Sequence, residues 1–204
     1  MAKKRKRRKD QPWAKLILLV FFLVMVGLFG NHLLALREPH EEVTTVKTTN
    51  QHVQFIESQA KQAQEMQQKY NVLASITLSQ AILESDWGRS TLAAQFHNLY
   101  GIKATSSQTG KNFYTKEYTN GKWVTIKDKF RTFKSDRESM VAHSKLFIDG
   151  TAWNPEQYHS VLTAANYTEA AHELYKDGYA TDPDYPQKLI TLIKRYRLDR
   201  YDNN

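Results

Sequence analysis

"SITLSQAILESDWGRS", residues 75–90, begins as an apolar helix and ends as an acidic turn. Ile76, Leu78, Ala81, Ile82 and Leu83 precede Glu84, Ser85 and Asp86, with Trp87 and Gly88 directly behind. The spacing predicts a helix over 72–86. Asn71 offers its cap, and Gly88 suits a left-handed C-terminal position. A helix this apolar belongs inside a fold, so a carboxyl at its end projects from a rigid element. Trp87 can lie against Glu84, and an apolar wall raises a carboxyl pKa by disfavouring the charged form. The competing reading is a solvated Glu on an amphipathic helix.

Upstream, Val53, Ile56, Ala60, Ala63 and Met66 recur at helical spacing, closed by Tyr70, so a first helix is expected from Gln51. Downstream, Ser90 can cap a short helix through Phe96. The chain then changes character. Residues 104–133 carry β-branched and aromatic residues around Asn120-Gly121, the strongest short hairpin signal. With a two-residue turn there, Thr119 pairs with Lys122 and Glu117 with Val124, on one face with Thr115 and Ile126. "SDRE", residues 135–138, is a capping box for another helix. Thr168 can cap a helix ending at Gly178. Pro186 fits the first turn of a last helix bearing Leu189, Ile193 and Tyr196. The expected fold class is α+β, mainly α, with one small antiparallel hairpin lobe.

The net charge of +8 invites a nucleic-acid reading, and its location argues against one. Residues 1–15 hold eight Lys or Arg against one Asp, so seven of the eight charges sit there. The rest has 21 basic and 20 acidic residues, too balanced to seek phosphate backbones, and no nucleic-acid partner is expected. Directly after the basic run, residues 16–36 read "LILLVFFLVMVGLFGNHLLAL". About 20 apolar residues cross a bilayer core, and flanking Lys and Arg stay cytoplasmic. Leu33-Leu34-Ala35 is a poor cleavage site, so the segment reads as an uncleaved single-pass anchor with the N-terminus inside. Residues 37–50, polar and Thr-rich with Pro39, read as an extracellular linker, and 51–204 as the exported domain.

No cysteine is present, so thiol catalysis and Cys-ligated zinc are excluded. The seven His show no zinc spacing, and no nucleophile elbow or phosphate loop appears. No metal and no cofactor are called for. Carboxylates stand out instead. Glu117, among β-branched residues of the hairpin, reads equally as a cleft-wall carboxylate or as a partner for a nearby Lys (116, 122 or 127). A helix-end Glu facing a carboxylate on a small sheet is the arrangement glycosidases use.

"SITLSQAILESDWGRSTLA" followed by "NLYGIK", residues 98–103, resembles the signature of glycoside hydrolase family 73, bacterial cell-wall endo-β-N-acetylglucosaminidases. "TKEYTNGKWVTIKDKFRTF" resembles that family's hairpin, and "GYATDPDYPQKL", residues 178–189, its C-terminal Tyr motif. The resemblance covers roughly residues 50–198. It implies a lysozyme-like helical body with a small β-lobe beside a groove, acting as a monomer on peptidoglycan glycan strands. It makes Glu84 the general acid and Glu117 the second carboxylate, which either activates water or defers to the substrate's own acetamido group. Tyr179 falls at the tyrosine that orients the sugar or intermediate. Trp87, Asn98, Tyr100 and Phe130 match groove or scaffold positions, each open to sugar contact or core packing. Asp86 departs from the small residue common there, adding charge near Glu84 and a possible subsite contact. Tyr100 replaces a frequent Phe. The alternatives are an N-acetylmuramidase cutting the neighbouring bond, a non-catalytic wall-binding module, and an envelope scaffold acting through the first helix.

Overall fold

The computed structural model describes residues 41–119 and 122–202. The basic run and the apolar segment 16–36 lie outside them. Among the described residues, no helix is long and apolar enough to cross a membrane.

Helix α1 (Glu41–Tyr70) begins ten residues before the expected start. Residues 41–50, expected as linker, are therefore helical. They contain no Gly or Pro, and extending a formed helix costs far less than nucleating one. Ile56, Ala60, Ala63 and Met66 are buried as the periodicity requires, whereas Val53 is exposed.

Helix α2 (Ala74–Ser85) is the centre of the body, with every residue buried except Leu83. Its N-terminus is not capped by Asn71. Asn71 adopts a left-handed conformation after α1 (φ 57°) and donates its side-chain amide to Leu162 O at 2.5 Å. The free N–H groups of α2 are met from a distance instead. Gln67 Oε1 accepts from Ala74 N at 3.1 Å, and Asp202 Oδ1 accepts from Ser75 N at 2.7 Å. The Ser75 hydroxyl donates to the other Asp202 oxygen at 2.7 Å, so the C-terminal tail pins the central helix.

The other end of α2 is also tighter than expected. Asp86, not Gly88, is the left-handed cap (φ 50°), and Trp87 (60°) and Gly88 (74°) continue in the same region. Two consecutive non-glycine residues there are strained. Ser85 holds the turn, accepting from Gly88 N at 2.7 Å and donating to Ala81 O at 2.5 Å. A side chain at Gly88 would meet the Phe55 ring at 2.9 Å.

Helix α3 (Thr91–Phe96) is capped by Ser90 as expected. Strands β1 (Gly110–Thr119) and β2 (Lys122–Arg131) pair in the predicted register, Thr119 with Lys122 and Glu117 with Val124. Helix α4 (Asp136–Asp149) starts at Ser135, whose hydroxyl accepts from Glu138 N at 3.3 Å. Helices α5 (His159–Thr163) and α6 (Tyr167–Lys176) follow; Asn166 rather than Thr168 caps α6. Helix α7 (Tyr185–Tyr196) carries Pro186 in its first turn, and a 3₁₀ turn, Leu198–Tyr201, closes the chain. Among the described residues, the architecture is the expected helical body with one small two-stranded antiparallel sheet. Tyr100, Phe130, Phe147, Tyr158, Tyr179 and Tyr185 are the largest fully buried side chains.

Candidate active site

Glu84 ends a helix that is enclosed almost throughout, and it is itself only 4% exposed. Burial pushes its carboxyl up to about 8, against the downward pull of a Tyr185 hydrogen bond and the Lys188 charge. The Tyr185 hydroxyl donates to Glu84 Oε1 at 2.9 Å and accepts from Gln80 Nε2 at 2.9 Å. Gln80 Oε1 in turn meets His143 Nε2 at 3.1 Å. Gln80 and Glu84 lie one turn apart on α2, so both face Tyr185 at the start of α7. Lys188, one turn further along α7, is held by Asp182 at 2.5 Å.

The wall behind Glu84 differs from the expected one. Trp87 turns away and stacks on His52 of α1, with ring centroids 3.6 Å apart, and its edge contacts are Phe55 and Tyr196. The left-handed turn at 86–88 is what redirects it. Asp86 is half-exposed and paired with Arg89 at 2.8 Å, so its charge is met locally. The elevation of Glu84 comes from enclosure, with no contribution from Asp86.

Tyr179 is fully buried, stacked on Tyr185 at 5.9 Å and on Phe147 at 5.7 Å. Its hydroxyl has no hydrogen-bond partner among the described residues. Asn98, Tyr100 and Phe130, expected at groove or scaffold positions, are all enclosed. Tyr100 stacks on His143 at 3.9 Å. Asn98 clamps the segment after α3 to the end of β2, bonding Ile102 and Arg131 backbone groups. None of the three offers surface in this conformation, and each packs within the body. Asp86 and Trp87 retain surface.

Glu117 lies on the hairpin with a separate set of partners. Lys103 Nζ sits 2.6 Å from Glu117 Oε1 and 2.6 Å from Asp128 Oδ2. Burial pulls the Lys103 pKa down, yet the bonds to Asp128 and Glu117 outweigh it and hold the ammonium above its ordinary value. The partner is thus Lys103 of the "NLYGIK" segment, not one of the three hairpin lysines. Lys103 is placed by a bridge pairing it with Phe130 on β2.

Sequence reasoning passed over Tyr185, Gln80, His143 and Lys103. Tyr185 stands within a quoted motif, next to Pro186, but its phenol could equally have been core. His143 was weighed only as a zinc ligand. A polar side chain facing a buried helix was the signal that could have found it.

Residues 60–198 match the family model Glucosaminidase, described as mannosyl-glycoprotein endo-beta-N-acetylglucosaminidase. The chain is 44% identical to Exo-glucosaminidase LytG of Bacillus subtilis over 197 residues, 96% of this chain and 70% of that one. The crystal structure of N-acetylmuramoyl-L-alanine amidase from Staphylococcus aureus superposes with a TM-score of 0.71 at 38% identity, over 76% of this chain and 44% of that one. The catalytic domain of the autolysin Auto from Listeria monocytogenes superposes with a TM-score of 0.67 at 32% identity, over 82% of this chain and 99% of that one. The matched span encloses the Glu84 end of α2, the hairpin with Glu117, and Tyr179 and Tyr185 alike, and the chain belongs to the glucosaminidase family, glycoside hydrolase family 73.

Proposed function

We propose that this chain is a peptidoglycan hydrolase that cleaves the β-1,4 bond after N-acetylglucosamine, with Glu84 as its general acid. One observation carries the assignment of the acid: an enclosed carboxyl, pushed up to about 8, keeps its proton at neutral pH for the leaving oxygen. Family membership supplies the substrate class. Glu117 is the second carboxylate of this reading. Its Oε1 is held by Lys103, so the other oxygen is the one available to a water or to the sugar. Tyr179 keeps, in this reading, the place of the tyrosine that orients the sugar or intermediate, and it stacks on Tyr185 beside the acid.

The test is mass spectrometry of borohydride-reduced products after digestion of peptidoglycan by the full chain. Reduced N-acetylglucosamine ends are expected. Reduced N-acetylmuramic acid ends would move the cut to the neighbouring bond and make the protein a muramidase. Wall binding without any product would make it a binding module. Product length separates the endo attack of the family description from the exo attack in the Bacillus relative's name.

We also infer that residues 16–36 anchor the protein in the membrane, N-terminus inside, with the catalytic domain facing the wall. The 21-residue apolar run behind eight basic residues supports this reading. The full chain is expected to stay with membranes through alkaline carbonate extraction, and a chain lacking 16–36 to leave them. Release of the full chain by carbonate would sink the anchor.

A further inference from the structure

We propose, resting on the reading of Glu84 as general acid, that His143 and Gln80 are positioning residues that act through Tyr185 to dictate which Glu84 oxygen carries the transferable proton. Three hydrogen bonds in series link His143 to the acid: 3.1 Å to Gln80, 2.9 Å to Tyr185 and 2.9 Å to Glu84. Their directions are not independent. Gln80 turns its amide nitrogen to Tyr185, so its carbonyl faces His143 and requires an N–H there. The phenol oxygen of Tyr185 is taken as acceptor, so its hydrogen goes to Glu84 Oε1. An Oε1 that receives a hydrogen bond is the carbonyl oxygen, and the carboxyl proton sits on Oε2.

His143 is suited to set this order. It is fully buried, and burial lowers its pKa to about 3, so the ring is neutral and carries one hydrogen. Its Nδ1 has no partner among the described residues. A hydrogen on Nδ1 would be an orphaned buried N–H, which folded proteins tolerate less readily than an unmatched acceptor. The hydrogen therefore belongs on Nε2, where Gln80 accepts it. Tyr100 stacked at 3.9 Å, with Phe147 at 4.8 Å, holds the ring in this orientation. The reverse order, with every bond turned round, would put the Glu84 proton on Oε1, committed to Tyr185, and leave none on Oε2.

The arrangement also serves the transfer. The Oε2 proton passes to the glycosidic oxygen as the carbon–oxygen bond breaks and its electron pair leaves with that oxygen. The new carboxylate charge spreads to Oε1, where the Tyr185 hydrogen already points and becomes a charge-assisted donor. The other charged group that acts on Glu84 is Lys188, paired with Asp182, while Tyr179, stacked on Tyr185, is a group that burial and then the Glu84 charge hold above its ordinary pKa. Neither belongs to the hydrogen-bonded series.

The experiment is a double-mutant cycle in the full chain with His143→Phe, Tyr185→Phe and both together. Phe keeps an aromatic ring on Tyr100 while removing the donor. Two quantities are read: the Glu84 titration midpoint, by carbon-13 NMR of labelled glutamate carboxyls in the free protein, and the kcat and KM profiles against pH. His143→Phe is expected to raise the midpoint by about one pH unit and lower kcat about tenfold with KM unchanged, because Gln80 is then free to turn its amide, the series reverses and the Glu84 carboxylate loses the Tyr185 hydrogen. Tyr185→Phe is expected to do at least as much, and the double variant no more than Tyr185→Phe alone. An unchanged midpoint in His143→Phe, or additive effects in the double variant, would overturn the proposal. If His143→Phe does not fold, Gln80→Met removes the same link and the same outcomes decide. Failure of the general-acid reading is distinguishable: Glu84→Gln would then keep full turnover, whatever the midpoint does.

Discussion

A Glu84→Gln variant is expected to lose peptidoglycan turnover by roughly 10²–10⁴-fold, the usual contribution of a general acid, while becoming more stable at neutral pH. The two effects share one cause. Burial raises the carboxyl from 4.5 to about 8, so the folded protein holds a proton that the unfolded chain releases. Stability contributed by that proton is full below about 4.5 and is lost as pH rises towards about 8. At pH 7 the accumulated cost is on the order of 3 kcal/mol. Gln is neutral at every pH and keeps a carbonyl for the Tyr185 hydroxyl, so it avoids the cost without breaking the bond. Thermal unfolding of parent and variant should coincide near pH 4 and diverge progressively up to pH 8. Parent activity should fall as pH rises through the same upper value, because only the protonated acid can donate. Full turnover by Glu84→Gln, or a stability difference independent of pH, would contradict the assignment.

Asn98→Ala is expected to destabilise the domain by about 3 kcal/mol, since it strands buried backbone groups rather than a sugar contact. Asn98 is 1% exposed and makes three bonds to main chain. Its amide donates to Ile102 O and Arg131 O, each at 2.9 Å, and its carbonyl accepts from Ile102 N at 2.8 Å. Alanine replaces none of them, and water has little access. For a domain of this size, a loss of that order lowers Tm by about 6–12 °C. Amide exchange should rise at Ile102 and in the end of β2. Were Asn98 a sugar ligand, KM would rise with Tm unchanged, which would falsify the packing role.

Local signals were legible where the chain makes its own contacts. The hairpin register followed from Asn120-Gly121, because a two-residue turn leaves one pairing for Glu117 and Val124. Ser90, Ser135 and Pro186 announced helix starts because each satisfies or removes a donor within a few residues of itself. The apolar half of α2 announced a central helix. Signals failed where the partner came from elsewhere. Asn71 has the chemistry of a cap, but Gln67 and Asp202 reach the α2 donors first. Trp87 looked like the wall of Glu84 until the left-handed turn sent it to His52. Lys103 lay 14 residues from Glu117, outside any local pairing rule.

The family signature, Glu84 at the end of a buried helix and Glu117 on a hairpin were readable from residue order alone, because each rests on periodicity or on near neighbours. The state of Glu84 was not. Its proton depends on enclosure, and its hydrogen bonding on Tyr185, 101 residues away, with Gln80 met by His143, 63 residues along the chain from it. Desolvation and buried hydrogen bonds arise only when distant segments exclude water together. Residue order therefore named the carboxyl, and tertiary packing raised its pKa.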